Sequence, residues 1–159
     1  MKNTFAASCL LGLSTIALAS CGSEPEQVTE VPEGIAGLEV ENARMVLNAV
    51  SGNPAAVYFD LTYNGERAIQ VRRVDVEGAE SAMLHGYMEV DFKVQMVETT
   101  AIGLLSGETV KFEPGEQHVM AMNVSPELQP GDTAEVTVTI AGGDKHSFPA
   151  EVRGAGEER

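Results

Sequence analysis

The stretch AAVYFDLTYNG, residues 55–65, alternates large apolar residues with small or polar ones and stops at Asn64-Gly65. An alternation with a period of two is typical of a β-strand that buries one of its faces. Asn-Gly at the end of such a strand predicts a hairpin-type turn. This stretch therefore predicts a protein of the all-β class.

Similar segments recur along the chain at intervals of roughly 8–12 residues, with Gly, Pro, Asn or Asp between them. Residues 38–50 fit either a pair of strands or one strand with a bulge. A change of phase at Arg72-Arg73 predicts a bulge in the segment 68–78. Residues 81–99 fit one or two strands around Gly86, and the remaining candidates are 108–115, 118–124, 133–143 and 146–153. Since no segment after residue 20 shows an apolar period of 3.6, the pattern predicts a β-sandwich.

The N-terminal segment predicts export of the protein. Residues 5–19 form an apolar run that is too short to span a membrane as a helix, which takes about 20 residues. The run ends in LASC, residues 18–21, which resembles a bacterial lipobox. We predict that residues 1–20 are a lipoprotein signal peptide and that Cys21 carries a lipid. The lipid would anchor the chain to the inner or the outer membrane of the cell envelope, with the folded domain in the periplasm. The alternative is an ordinary signal peptide that is cleaved nearby.

The segment after Cys21 is acidic, contains two prolines and has no large apolar residue other than valine. This composition is typical of a flexible linker, so we predict a tether over residues 21–36. The folded domain is then expected over 37–153. The last residues, 154–159, are expected to be a disordered tail.

Charge and cysteine content limit the possible partners and chemistry. The chain has 10 Lys and Arg against 24 Asp and Glu, a net charge of −14. This balance disfavours nucleic acid and anionic lipid as partners and favours cations or basic proteins. The two cysteines, Cys9 and Cys21, belong to the signal peptide and the lipid anchor. The mature fold would then have no thiolate, which excludes a blue-copper centre.

The stretch EPGEQHVMAM, residues 113–122, carries a histidine and two methionines on one side of a predicted strand. On a strand, residues i and i+2 face the same way, so His118 and Met120 can bind one ion together. His85 and Met96 would join them from a neighbouring strand or loop. Two imidazoles and two thioethers form a soft, neutral ligand set that favours Cu(I). Taken singly, however, each of these residues is more typical of a surface or a hydrophobic core.

These four residues form the pattern H-x10-M-x21-H-x-M, with the proline-glycine turn before His118 and the stretches 53–65 and 128–140 as flanks. The chain therefore resembles the periplasmic copper chaperones called PCu(A)C over residues 38–153. The resemblance implies a cupredoxin-like Greek-key β-sandwich that binds Cu(I) through His85, Met96, His118 and Met120. It also implies delivery of copper to the Cu(A) centre of cytochrome c oxidase, with oxidase subunit II or a thiol-containing copper assembly factor as the partner.

Other functions are open or disfavoured at this point. A zinc hydrolase built from His85, His118 and Glu116 would leave the thioethers without a role, and no GxSxG motif is present, so we expect no enzyme. A copper-scavenging or buffering lipoprotein for copper resistance, and a scaffold lipoprotein without metal, stay as alternatives. Because histidine must be neutral to bind a metal, we expect loading to weaken as the pH falls through its pKa.

Four further residues have weaker expectations. We expect Met122 to lie in the core. Met83 and Met88 either guard the site or pack against the fold. His146, next to a probable turn, is expected at the surface.

Overall fold

The computed structural model describes residues 34–157, which belong to one compact unit, and these residues form ten strands and no helix. The predicted all-β class is confirmed. Within the described range there is no helix long and apolar enough to cross a membrane. The predicted signal peptide, Cys21 and most of the predicted tether lie outside this range. The strands are β1 (Leu38–Val46), β2 (Ala55–Tyr63), β3 (Ile69–Val76), β4 (Ser81–Val90), β5 (Lys93–Glu98), β6 (Ile102–Leu104), β7 (Glu108–Phe112), β8 (His118–Met122), β9 (Thr133–Ile140) and β10 (Lys145–Arg153).

The strands pair in the order β5-β4-β8-β2-β1-β10-β9-β3-β6, and β7 pairs with the second half of β2. The β1–β10 pair is parallel and the other pairs are antiparallel. The sheet folds over, so that β3 contacts β4 although the order places them far apart. This folding encloses one core, and it places β4, β8 and β5 side by side at one end of the order.

Two bulges interrupt the ladders where the sequence suggested them. The pairing of β1 with β2 shifts between Glu41 and Arg44, and Asn42 there adopts a left-handed backbone with φ of 56°. Of the two possibilities for residues 38–50, a single strand with a bulge is therefore correct. The pairing of β3 with β9 shifts between Val71 and Arg73, which confirms the second predicted bulge.

One expectation about a turn was wrong, and for residues 81–99 two strands is the correct one of the two possibilities. The chain does turn after β2, but Asn64-Gly65 does not close a hairpin, because β3 pairs with β9 and β6 instead of β2. The Asn64 N–H donates to the carbonyl of Gly37, 2.7 Å away, so this turn is tied to the start of β1. Residues 81–99 form two strands, yet the break lies at Asp91 and Phe92, while Gly86 lies buried inside β4.

An aromatic group lies at the centre of the core. Phe59 of β2 stacks on Phe112 of β7 with ring centroids 4.1 Å apart, and it meets the edge of Phe148 of β10 at 5.1 Å. Phe59 occupies a buried position of β2, as the pattern of residues 55–63 predicts, and Phe112 and Phe148 are buried in their own strands. The group thereby joins strands from three separate parts of the chain.

The ends of the described chain are attached to this core. Ile35 packs against the core cluster, and its N–H donates to Nδ1 of His146 at 3.3 Å. His146 is therefore half-buried and hydrogen-bonded, whereas a free surface position was expected. After β10, the Gly154 N–H donates to the carboxylate of Glu157 in a short turn.

Replacing Phe59 with alanine removes the ring that holds this aromatic group together. We expect it to lower the free energy of unfolding by about 3–5 kcal/mol, the usual cost of such a truncation in a core. Urea denaturation followed by circular dichroism measures this cost. As a control, Val50→Ala at an exposed position should change stability by less than about 0.5 kcal/mol. A loss below about 1 kcal/mol for Phe59→Ala would contradict the central role of this ring.

Candidate metal centre

The pairing of β4 with β8 places two of the predicted ligands opposite each other. His85 pairs with His118, and Met83 pairs with Met120. Directly opposed residues of an antiparallel pair point to the same face, with Cβ atoms about 4.5–5.5 Å apart. All four side chains therefore share one face of the sheet. The two histidines lie opposite each other, and the two methionines lie opposite each other two residues further along the strands.

Strand β5 brings Met96 to the same face. Tyr87 pairs with Met96, so Met96 lies diagonally across from His85 on the adjacent strand. The Nδ1 atom of His85 is 3.2 Å from the Sδ atom of Met96. Two ligands of one tetrahedral ion, at bond lengths of about 2.0 Å to nitrogen and 2.3 Å to sulfur, lie about 3.5 Å apart. The two side chains are therefore close to the separation that a shared ion requires.

His118 forms the buried side of the centre. Its side chain is only 4% exposed, and its Nδ1 lies 2.9 Å from the backbone carbonyl oxygen of Glu116. A carbonyl oxygen can only accept, so Nδ1 carries the proton and the neutral ring keeps its lone pair on Nε2. The ring stands nearly perpendicular to that of His85, at 84°, with centroids 5.8 Å apart. This hydrogen bond fixes both the tautomer and the orientation of a ring that can bind a metal.

Two tyrosines enclose His118, and the sequence analysis did not assign either of them. Tyr87 and Tyr58 place their rings 5.8 and 6.4 Å from the His118 ring. The guanidinium carbon of Arg44 lies 5.0 Å from the centroid of the Tyr58 ring. Tyr87 is two residues from His85, so the strand period could have placed it on this face. Tyr58 comes from β2, and only the tertiary fold brings it here.

The environment of His85 favours its neutral form. Burial lowers the pKa of His85 below 6.5, and the charge of a protonated His118 lowers this pKa further, while Glu98 opposes both effects. A neutral imidazole is the form that binds a metal ion. The half-buried position of His85 thus keeps the ring ready for binding at pH values where a free histidine would begin to charge.

The other methionines divide by face and exposure. Met120 and Met122 lie on the face of His118 and are half-buried, so Met122 is less enclosed than the expected core position. Met83 lies beside Met120 on that same face. Met88 has the opposite parity to His85 on β4, so it points to the other face, and it is exposed.

Carboxylates have little part in this centre. Across residues 34–157, no three side chains of the His, Cys, Asp and Glu types are placed to hold an ion together. Glu116 contributes through its backbone carbonyl, which is the acceptor for His118. Glu98 pairs with His85 and shares its face, so one carboxylate lies beside the imidazole nitrogens and thioether sulfurs.

A family comparison agrees with this domain. A family model described as LpqE-like matches residues 38–152, which is more than half of the chain. The chain belongs to the LpqE-like family. Comparison with curated protein sequences gives no match.

Solved PCuAC domains share the fold of this LpqE-like chain. The apo PCuAC domain of PmoF2 has a TM-score of 0.65 at 17% identity, covering 79% of this chain and 97% of that domain. Its copper-bound form has a TM-score of 0.63 at 18% identity, covering 76% and 96%. The Cu(I) form of DR1885 from Deinococcus radiodurans has a TM-score of 0.56 at 20% identity, covering 83% and 85%. The resemblance to PCu(A)C and the expected cupredoxin-like Greek-key sandwich are confirmed at the level of fold.

The pKa of His85 in the metal-free protein tests the described surroundings of this ring. We expect the His85 ring to titrate below 6.5, because burial and the neighbouring His118 disfavour its charged form. Glu98→Gln should lower the pKa of His85 further, since Glu98 is the group that raises it. The pH dependence of the ring Cε1–H signal in NMR measures both values, with Glu39→Gln as a remote control. An upward shift in Glu98→Gln would show that the assignment of charges is incorrect.

Proposed function

We propose that this protein is a copper chaperone that binds Cu(I) through His85, Met96, His118 and Met120. It delivers the ion to the Cu(A) centre of cytochrome c oxidase or to an assembly factor of that enzyme. The observation that carries the proposal is the meeting of His85 Nδ1 with Met96 Sδ at 3.2 Å, beside the buried ring of His118. The copper-bound PCuAC domain of PmoF2 and the Cu(I) form of DR1885 share the fold and support the choice of ion.

The chemistry of the donor atoms favours Cu(I) over harder cations. Thioether sulfur is a soft ligand, and Mg²⁺ or Ca²⁺ would prefer carboxylate and carbonyl oxygens. All four ligands are neutral, so a monovalent ion keeps its single positive charge in a chain of net charge −14. The surrounding negative field then favours retention of a cation. A site without thiolate also binds copper less tightly than a cysteine site, so transfer to a thiol-containing acceptor runs downhill.

The burial gradient across the site gives transfer a direction. His118 is buried and held by Glu116, whereas Met96 is 48% exposed on β5. An acceptor can therefore replace Met96 first, while His118 still holds the ion from below. Ligands are exchanged and no substrate bond is made or broken, so the proposed activity is not enzymatic. A lipid on Cys21 and a tether that ends before Ile35, which packs on the core, would keep this exchange at the membrane.

Met96→Leu tests the proposed site against a matched control on the same hairpin. Loss of the sulfur should weaken Cu(I) binding at least tenfold, while Met88→Leu, on the opposite face, should leave the affinity unchanged. Competition with a chromogenic Cu(I) chelator under anaerobic conditions measures both affinities. If the wild-type chain took up no Cu(I), the non-metal scaffold alternative would replace this proposal. Equal affinities for the two variants would remove Met96 from the ligand set.

Met120→Ile tests the ligand that lies deeper in the fold. Isoleucine keeps most of the bulk on β8, so folding should survive, while the Cu(I) affinity should fall at least tenfold. X-ray absorption of the loaded protein should count two nitrogen and two sulfur neighbours in the wild type and one sulfur fewer in the variant. An unchanged spectrum with unchanged affinity would identify Met120 as a packing residue.

Delivery and buffering differ in the phenotype of a strain that lacks the protein. If the protein delivers copper, the strain should lose oxidase activity when copper is limiting and recover it when copper is added. A double variant with Met96→Leu and Met120→Ile should fail to complement, and Val50→Thr, at an exposed position outside the site, should complement fully. If the strain instead kept its oxidase and lost copper tolerance, the function would be buffering.

A further inference from the structure

The outer part of the β4–β5 hairpin leaves the body of the sheet. The pairing of β4 with β8 ends at His85, and beyond that residue β4 pairs with β5 alone. Residues 86–97, here called the ribbon, therefore form a two-stranded projection from the sandwich. A two-stranded ribbon on its own is marginally stable, and it gains stability by packing on another surface.

The ribbon concentrates the exposed apolar side chains of the molecule. Of the eight large hydrophobic residues that are exposed between residues 34 and 157, six lie on it. They are Tyr87, Met88, Val90, Phe92, Val94 and Met96. Tyr87, Val94 and Met96 share the face of the candidate metal centre, whereas Met88 and Val90 lie on the opposite face and Phe92 lies at the tip. Exposed apolar groups mark contact sites on soluble domains, and Tyr, Phe and Met are enriched at protein interfaces.

The tip of the ribbon carries the clearest conflict between sequence and backbone. Asp91 and Phe92 form the two-residue turn between β4 and β5, and both have positive φ, 51° and 60°. Such a turn favours Gly at its second position, because side chains are strained in this conformation. Phe92 is nevertheless 97% exposed, so its ring adds almost no packing to the fold. A strained, fully exposed phenylalanine is of use to a contact and not to the stability of the chain.

We propose that the ribbon is the docking surface for the protein that receives the copper. This inference rests on the proposed function, because Met96 is both a proposed ligand and part of the ribbon. A partner that covers Val94 and Phe92 comes directly against the exposed ligand of the site. Docking on this surface excludes water from the exposed side of the candidate metal centre. It also places the acceptor's thiols next to Met96, where the first ligand exchange takes place.

The acidic residues around the ribbon indicate which kind of partner can bind it. The apolar side chains of the ribbon lie among Glu89, Asp91 and the neighbouring Glu98, with Lys93 as the ribbon's cation. Together with the net charge of −14, this rim disfavours an anionic lipid surface and a second copy of the same chain. The occupant is therefore a thiol-containing protein with an apolar contact patch and a basic rim, for which the complementary charges speed association.

The rate of copper transfer tests the docking surface without disturbing the metal site. The full chain, loaded with one Cu(I), is mixed with the soluble Cu(A) domain of oxidase subunit II, or with glutathione as an acceptor too small to dock. Phe92→Gly and Val94→Thr should slow transfer to the Cu(A) domain at least fivefold and leave transfer to glutathione unchanged. Val50→Thr, a matched change at an exposed valine outside the ribbon, should alter neither rate.

The same variants separate docking from folding and from copper binding. Phe92→Gly creates the Asp-Gly pair that this turn prefers, so thermal stability should be equal to or higher than that of the wild type. If the wild type binds no Cu(I) in the chelator competition, the proposed function itself fails. If Cu(I) binds but the ribbon variants transfer it at the wild-type rate, or the wild type does not load the Cu(A) domain, the docking inference is overturned.

A fluorescent probe at the tip identifies the occupant directly. The chain has no tryptophan, so Phe92→Trp supplies a single tryptophan at the exposed position, which can be excited apart from the tyrosines. Its emission should shift to shorter wavelength when the Cu(A) domain is added. A shift on vesicles of phosphatidylethanolamine and phosphatidylglycerol alone would assign the ribbon to lipid and overturn the proposal. A shift that depends on the concentration of the chain itself would assign it to self-association, with the same consequence.

Discussion

The antiparallel register of β4 with β8 opposes His85 to His118, and the candidate metal centre depends on that single alignment. A slip of one residue would turn the side chains of β4 to the other face and separate the two rings. The register is held from both sides, because Val119 and Leu84, between the ligand positions, are buried in the core. On both strands, core residues alternate with candidate ligands. Packing of Leu84 and Val119 in the core therefore also fixes the alignment of His85 with His118.

The two sides of the centre obey different physical constraints. The inner side is made rigid by burial of His118, by its hydrogen bond to Glu116 and by the surrounding tyrosine rings. The outer side belongs to a ribbon that has few neighbours and carries strain at Phe92. The proposed chaperone would have to hold and release an ion, and this asymmetry suits that role. In the proposal, the rigid His118 keeps the geometry and the exposed Met96 allows exchange with an acceptor.

The sequence predicted local features well and distant ones poorly. Alternation along 133–140 and 55–63 marks strands, because a half-buried strand needs that period, and the same period places His118 and Met120 on one face. Which strands become neighbours is decided by tertiary packing, so Asn64-Gly65 suggested a hairpin that does not form. Around Gly86 the sequence left one or two strands open, and the structure places this residue inside β4. Its small size fits a crowded interior position near Thr99, which a sequence pattern does not distinguish from a turn.

The four-residue spacing was informative because it combines a local constraint with a distant one. The separation of His118 from Met120 follows from the strand period alone. The distance along the chain from His85 to Met96 is the length of a hairpin whose two-residue turn lies at Asp91 and Phe92, and this turn sets Met96 diagonal to His85. An insertion of one residue that kept the two-residue turn would shift the register and move Met96 to the opposite face. The strained tip and the candidate metal centre are therefore linked through one turn. The register that this turn sets decides whether the four candidate ligands can meet, while the side chain at its tip is free to serve the proposed contact.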